Sequence, residues 1–302
     1  MRWRGRRQSS NVEDRRGGGG GGGLSFPRSR GRIARPSRAS GGLGLGGIVL
    51  ILIVSWVLGI NPLTLLSGGG GSIAPQQTQF NQPSAGGGTD DEMKQFVSTV
   101  LADTEDIWHA IFEAAGARYR EPSLVLFTDR VQSACGFASS ATGPFYCPGD
   151  EKVYIDLGFY RELHTRFEAP GDYAQAYVLA HEVGHHVQNL IGVLPKFNQM
   201  RRQLSEIERN RMSTRVELQA DCFAGIWGYH TREQGWIEQG DLVEAMNAAS
   251  QIGDDAIQKR MQGYVVPESF NHGTSEQRQR WFKTGFDTGS MEACDTFNAA
   301  QL

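Results

Sequence analysis

Residues 172–191 read DYAQAYVLAHEVGHHVQNLI and contain the pattern H-E-x-x-H between His181 and His185. Apolar residues recur about every 3.6 positions along this stretch, which predicts a helix. Asp172 is suited to cap its N-terminus, and Gly192 predicts its end. Because positions i and i+4 share one face of a helix, the two imidazoles can reach the same metal ion.

Glu182 follows the first histidine of this pattern. A catalytic zinc ion takes three protein ligands and keeps a fourth position for water. His181 and His185 would be two of the ligands, and Glu182 would take a proton from the attacking water as general base. The sequence therefore has to supply a third ligand.

A second pair of acidic residues, Glu217 and Asp221, lies one helical turn apart in a stretch predicted to be helical. We predict that Glu217 is the third zinc ligand and that Asp221 accepts a hydrogen bond from a ligating imidazole. The alternative is a solvated helix face. The neighbouring residues are largely apolar, which favours a buried helix in which an unpaired acid would be costly.

The sequence from residue 90 to residue 302 predicts one α+β domain, mainly helical with a small sheet. Short runs of β-prone residues occur at 124–128 and 153–156. The motif T-S-E-Q at 274–277 has the form of a capping box and predicts the start of a last helix. The other predicted helices span 90–116, 196–210, 213–233 and 241–262.

The domain has four cysteines, which allow three pairings. Cys135 and Cys147 flank a loop rich in glycine and proline and form the favoured pair, which leaves Cys222 to pair with Cys294. Disulfides persist in exported proteins. Four free thiols are the alternative if the domain faces the cytoplasm.

Residues 1–40 are basic and rich in glycine. They contain eleven arginines and two acidic residues, and residues 17–23 are all glycine. This composition predicts a disordered tail. Arginine clusters can also bind nucleic acid, but residues 41–302 carry 19 basic and 31 acidic side chains, a net charge of −12. No nucleic-acid partner is therefore expected for the domain.

Residues 43–60 form an uncharged, apolar stretch of 18 residues, which predicts a transmembrane helix within 41–62. A cleaved signal peptide is the alternative, although its apolar and basic regions are usually shorter. The arginines on one flank predict a cytoplasmic N-terminus. The chain would then cross the inner (plasma) membrane once, and a flexible linker at 63–89 would lead to a periplasmic or extracytoplasmic domain.

The motifs around the metal site resemble the gluzincin arrangement of thermolysin-like and membrane-bound zinc metallopeptidases. More closely, the sequence is similar to the bacterial neutral zinc metallopeptidase family, over roughly residues 90–297. The resemblance implies a zincin-like fold, one Zn²⁺ per chain and a protein or peptide substrate. It rests on CG at 135–136, GPFYCP at 143–148, VYID at 153–156, HEVGHHVQ at 181–188, ELQADCFAG at 217–225 and HGT at 272–274.

A zinc peptidase also needs a donor for the oxyanion that develops on the substrate. His272 is our candidate and Tyr264 the second, while a loop histidine bonded to the backbone is the alternative for His272. His186 is predicted to be structural. The predicted function is a membrane-anchored zinc metallopeptidase. A non-catalytic metal-binding envelope protein and a zinc amidase acting on a cell-wall bond remain alternatives.

Overall fold

The predicted α+β class, mainly helical with a small sheet, is confirmed. The computed structural model describes residues 1–16, 89–169 and 171–302. Its strands are β1 (Val12–Asp14), β2 (Ser123–Phe127), β3 (Arg130–Ser133), β4 (Gly136–Ser139), β5 (Phe145–Cys147) and β6 (Lys152–Asp156). Its helices are α1 (Thr89–Ala114), α2 (Leu157–Thr165), α3 (Asp172–Leu190), α4 (Val193–Met200), α5 (Glu206–Glu233), α6 (Asp241–Gln251), α7 (Asp254–Gln262) and α8 (Ser275–Thr288).

The sheet has the strand order β1-β2-β6-β5. β1 and β6 both run parallel to β2, and β5 runs antiparallel to β6. The predicted runs 124–128 and 153–156 correspond to β2 and β6, whose buried side chains belong to the core. β3 and β4 form a separate antiparallel hairpin.

α3 carries the H-E-x-x-H pattern and is buried along most of its length. Gly171, rather than Asp172 as predicted, occupies the N-cap position, and Gly192 follows the helix in the left-handed conformation (φ 86°). α3 packs against α5 at Gly184. A Cβ atom at this position would lie 2.9 Å from the carbonyl oxygen of Ala220, so the absence of a side chain allows the two backbones to approach closely.

Two predicted helices have different boundaries. The predicted helix 196–210 is divided: α4 ends at Met200, and Ser205 starts α5 through a capping box with Glu208. The predicted helix 241–262 is divided at Gly253, which caps α7. A side chain at Gly253 would collide with the backbone nitrogen of Ser275, the first residue of α8. Local capping and tertiary contact therefore override the apolar periodicity.

The predicted disorder of residues 1–40 is wrong for residues 1–16. β1 pairs with β2 from Val12 to Asp14, and Trp3 is buried with its ring 5.4 Å from that of Phe96. Apolar packing, strand pairing and ion pairs of the arginines with acids of α1 order the segment. Residues 17–40, the predicted span 41–62 and residues 63–88 of the predicted linker lie outside the described residues. Within the described ranges, no helix is long and apolar enough to cross a membrane.

Both predicted disulfides are present. One joins Cys135 to Cys147, and the other joins Cys222 on α5 to Cys294 near the C-terminus. The second links the helix that carries Glu217 to the segment after α8.

Candidate metal centre

Two long helices bring the predicted zinc ligands together. Nε2 of His181 on α3 lies 3.3 Å from Oε2 of Glu217 on α5, and Nε2 of His185 lies 3.5 Å from Oε1 of the same carboxylate. One donor atom from each side chain lies within 4.8 Å of the other two. Donors bound at about 2.0–2.1 Å to a tetrahedral zinc ion are about 3.3 Å apart. The three side chains therefore fit one ion.

Each of the two histidines has a hydrogen-bond acceptor at its other ring nitrogen. Nδ1 of His181 lies 2.8 Å from Oδ1 of Asp221, and Nδ1 of His185 lies 2.9 Å from Oε1 of Gln188. When Nδ1 donates its hydrogen to these acceptors, Nε2 keeps the lone pair that binds a metal. Asp221 thus lies beside the imidazole of His181, and the sequence predicted that it would accept from one of the two ligating imidazoles. Gln188 accepts in the same way from Nδ1 of His185.

Asp221 is itself held by further donors. The hydroxyl of Tyr177 donates to Oδ1 at 2.6 Å, and the guanidinium of Arg278 donates to both carboxylate oxygens at 2.9 Å. Burial disfavours the charge on Asp221, but Arg278 and His181 outweigh it and hold its pKa below the ordinary value. A fixed, ionised acceptor of this kind keeps the His181 ring in one orientation.

The charges of the three donors stabilise one another. Burial would lower the pKa of His181, but the carboxylates of Asp221 and Glu217 outweigh burial and raise it to about 10. Burial would raise the pKa of Glu217, but His185 and His181 hold it well below its ordinary value. The site therefore combines an ionised carboxylate with two imidazoles, which is a typical donor set for zinc.

A cavity of about 800 Å³ opens onto the three donors. Glu182, which is 8% exposed, lines it together with His272 and Arg278. Burial raises the pKa of Glu182, although His181 and His185 oppose the shift. A carboxylate with raised proton affinity beside the metal donors is suited to accept a proton. The apolar part of the wall consists of Phe145, Phe159, Phe167, Val178, Ile252, Ile257 and Met261.

His272 lines this cavity, whereas Tyr264 is 63% exposed and is not among the described lining residues. Nδ1 of His272 lies 3.0 Å from Oδ1 of Asp254, and Oδ2 of Asp254 accepts hydrogen bonds from three consecutive backbone N–H groups at 271–273. The side chain of His272 is half exposed, and the partial desolvation that would lower its pKa is outweighed by Asp254 and Glu217, which raise it. A protonated donor is thereby favoured at the cavity wall.

Four side chains around the site were not identified from the sequence: Tyr177, Gln188, Asp254 and Arg278. Tyr177 precedes His181 by four residues and Gln188 follows His185 by three, so helical spacing could have identified both. Arg278 on α8 and Asp254 on α7 have no fixed spacing to the motif. Only tertiary packing brings them to the site.

His186 takes no part in the donor group. It is fully buried, with Nδ1 3.0 Å from the hydroxyl of Tyr146 and Nε2 2.6 Å from the carbonyl oxygen of Arg120. Both ring nitrogens are therefore used to join α3 to the sheet side of the domain, as expected of a structural histidine.

A second group of acidic side chains, Asp172, Asp241 and Glu244, has donor atoms as close together as those of the first group. The α-ammonium group of Met1 lies 2.6 Å from Asp172 and 3.3 Å from Asp241. This group is therefore occupied by a cation of the chain itself.

The chain is similar over most of its length to proteins of two bacteria. The chain is 47% identical over 299 residues to "Uncharacterized protein YpfJ" of Escherichia coli (strain K12), an alignment that covers 98% of this chain and 99% of that protein. It is 39% identical over 222 residues to "Uncharacterized protein Rv2575" of Mycobacterium tuberculosis (strain ATCC 25618 / H37Rv), covering 70% of this chain and 74% of that protein. No solved structure matches the chain.

One family profile matches residues 1–297, which include the three donors, Glu182 and His272. Its match begins at the first residue and so extends beyond the resemblance seen in the sequence motifs. The chain belongs to the family described as "Putative neutral zinc metallopeptidase".

Proposed function

We propose that the domain is a zincin-like metallopeptidase that hydrolyses peptide bonds with one Zn²⁺ held by His181, His185 and Glu217. The observation that carries this proposal is the donor group itself, which lies at the wall of an open cavity beside Glu182. Among the described residues, no fourth histidine, cysteine or acid joins the group. A structural zinc site is usually closed by four protein ligands, so a three-donor group favours catalysis.

The chain's own residues have distinct roles in the proposed reaction. Zinc, when bound, polarises the substrate carbonyl and acidifies the attacking water. Glu182 takes the proton from this water and later passes it to the leaving amine. His272, held by Asp254 and favoured in its protonated form, donates a hydrogen bond to the oxyanion. Asp221 and Gln188 keep the two imidazoles oriented through Nδ1.

The size and lining of the cavity also indicate which kind of substrate it can bind. Its volume of about 800 Å³ and its aromatic and aliphatic wall suit a peptide segment with a large apolar side chain. Arg166, Arg260 and Glu162 add charges to this otherwise apolar wall. We therefore propose a protein or peptide as substrate.

We further propose that the domain works outside the cytoplasm, at the inner (plasma) membrane. Two disulfides favour an oxidising compartment. The uncharged stretch 43–60 favours attachment to a bilayer.

The test uses the full-length, zinc-loaded protein with a mixed peptide library and, separately, with peptidoglycan fragments. We expect peptide cleavage by the wild type and a loss of about 10²–10⁴-fold in kcat for Glu182→Gln with zinc retained. Glu233→Gln, at the exposed end of α5, is the matched control and should cleave like the wild type. Peptides left intact while the peptidoglycan fragments are cleaved would favour the amidase instead.

A further inference from the structure

The basic residues 1–16, called the N-terminal segment below, form part of the folded domain rather than a tail. Trp3 packs against Phe96 on α1, and β1 adds a strand to the sheet at the free edge of β2. The backbone makes further hydrogen bonds outside the strand: the Ser9 N–H donates to the Ser98 carbonyl oxygen at 2.9 Å, and the Arg15 N–H donates to Leu126 at 2.8 Å. These contacts involve the main chain as well as the side chains.

Acidic residues on α1 provide the electrostatic part of this packing. Asp103 and Glu105 are only 3% and 2% exposed. Asp103 pairs with Arg6, and Oε2 of Glu105 lies 3.1 Å from a guanidinium nitrogen of Arg7. Buried carboxylates are costly unless they are paired, and the N-terminal segment supplies their partners. Ser9 donates a further hydrogen bond to Glu105 at 2.5 Å.

The described chain stops at residue 16 and resumes at residue 89, and these two ends lie close to each other on the domain. Asp14, three residues before residue 17, lies 3.2 Å from Nζ of Lys94 in the second turn of α1. Arg4 also pairs with Glu92 in the first turn of this helix. Residue 16 and residue 89 therefore lie at the same region of the domain's surface. The family profile begins at residue 1, so the N-terminal segment belongs to the sequence that the family shares.

We infer that the N-terminal segment and residues 89–302 lie on the same side of any membrane to which the protein is attached. A single crossing at 43–60, as the sequence predicts, would separate them. Two crossings need about 40 apolar residues, whereas the apolar stretch 43–60 has only 18 residues. A single crossing between residues 17 and 88 is therefore not compatible with the packing of the N-terminal segment on the domain.

Ion pairs within the folded domain account for part of the arginine excess in residues 1–40. Six of the eleven arginines in residues 1–40 lie in the N-terminal segment. Every one of the six has a carboxylate within ion-pair distance. Only the five arginines at 28–38 remain as a signal for a cytoplasmic N-terminus. Because residues 1–16 would be exported together with the domain, this remaining signal and the two disulfides favour opposite sides of the membrane.

Cysteine labelling of the full-length protein in spheroplasts tests the inference. Among the described residues no cysteine is free, so a maleimide would label only the single cysteine introduced at an exposed position. Ser10→Cys reports on the N-terminal segment, and Gln203→Cys, between α4 and α5, is the matched probe on the domain. With a membrane-impermeant maleimide, we expect both probes to react before lysis or both only after it. Reaction of one probe before lysis and of the other only after it would overturn the inference.

A second measurement tests the packing without depending on any variant. In the purified full-length protein, we expect the amides of Ser9 and Arg15, which donate to main-chain carbonyl oxygens of the domain, to exchange hydrogen at least about 100-fold more slowly than in an unstructured peptide. Exchange at the rate of an unstructured peptide would overturn the inference. Trp3→Ala should accelerate exchange at Ser9 and Arg15, whereas Gln8→Ala, at an exposed position, should not.

Discussion

His181 lies between two carboxylates, and this arrangement makes zinc binding depend on pH. Its pKa is raised to about 10 because Asp221 and Glu217 outweigh the effect of burial. Below this pH a zinc ion must displace a proton from the ring. We expect the apparent zinc affinity to keep rising with pH well above 6.5 and to level off only near pH 10.

Competition with a chromophoric chelator from pH 6 to pH 10 measures this dependence. Asp221→Asn removes the main carboxylate partner of His181, so the rise should end at lower pH in this variant. An affinity of the wild-type protein that is constant above pH 7 would show that the carboxylates do not control the proton on His181.

His272 should determine the alkaline side of the activity profile. Asp254 and Glu217 outweigh burial and raise its pKa, so the charged ring persists above its ordinary pH range and is lost as the pH rises through the raised pKa. If the charged ring is the oxyanion donor, kcat/KM falls through the same range. We expect His272→Ala to lower kcat by about 100-fold.

Asp254→Asn provides the decisive comparison for His272. Without the carboxylate, the alkaline fall of kcat/KM should shift to lower pH, while Glu268→Gln in an exposed turn should leave the profile unchanged. An alkaline limb that is identical in Asp254→Asn and the wild type would exclude His272 as the titrating donor.

At this scale the sequence predicted what fixed spacing can reveal. His181, Glu182 and His185 follow from one pentapeptide, and the pair Glu217 and Asp221 follows from i, i+4 spacing on a second helix. The structure brings all five together. It adds the buried Arg278, whose relation to Asp221 depends on how α8 packs across α5, and no local pattern encodes that crossing.

The contact between α3 and α5 controls the distance between the histidines and Glu217. Gly184 permits that contact, since a Cβ atom would lie 2.9 Å from the carbonyl oxygen of Ala220. In an isolated helix, Gly184→Ala would stabilise by about 1 kcal/mol. Here we expect it to destabilise the protein by about 1–3 kcal/mol, because the helices must separate.

The free energy of unfolding in urea and the zinc affinity measure the effect of Gly184→Ala. We expect Gly184→Ala to lower both quantities, whereas Gln175→Ala on the same helix should change neither by much. A more stable Gly184→Ala protein with unchanged zinc affinity would contradict the close approach of the two helices.

Element boundaries were the least predictable part of the fold. The capping box at 274–277 was correct because its signal is local: Thr274 accepts from the Gln277 N–H, and the Gln277 side chain accepts from the Thr274 N–H. The break at Gly253 was missed because its cause is the start of α8, which is distant in sequence.

Over the whole molecule, the two disulfides close loops of different length. Cys222 and Cys294 are 72 residues apart, and Cys135 and Cys147 are 12 apart. Chain entropy predicts losses of about 4 and about 3 kcal/mol when each is removed as a double serine variant. The Cys222/Cys294 variant should also bind zinc less tightly, because Gln219 donates to the Cys294 carbonyl oxygen and accepts from Gln188.

Denaturant unfolding and zinc titration of the two double variants test whether the Cys222/Cys294 variant loses more stability and binds zinc less tightly. Unchanged zinc affinity in the Cys222/Cys294 variant would show that the network through Gln188 does not need this disulfide. Equal stability of the oxidised and fully reduced wild type would contradict a structural role for either bond.

The first sixteen residues show how composition can mislead at the scale of the molecule. The eleven arginines of residues 1–40 and the glycine run at 17–23 predicted disorder. The acidic residues that pair with several of these arginines lie about a hundred positions later, on α1, and β1 pairs with β2 at a similar separation. Composition counts charges but does not show which of them meet in the folded chain.

We propose that His181, His185 and Glu217 hold one zinc ion with a position left open for water. A crystal structure of the zinc-loaded protein, with anomalous data collected at the zinc edge, would show these ligands. We predict one zinc ion bound at about 2.0–2.2 Å to these three side chains, with a fourth ligand that is not protein. A fourth protein side chain on the metal would indicate a structural zinc site, and zinc at a different group of residues would rule out the proposed ligands.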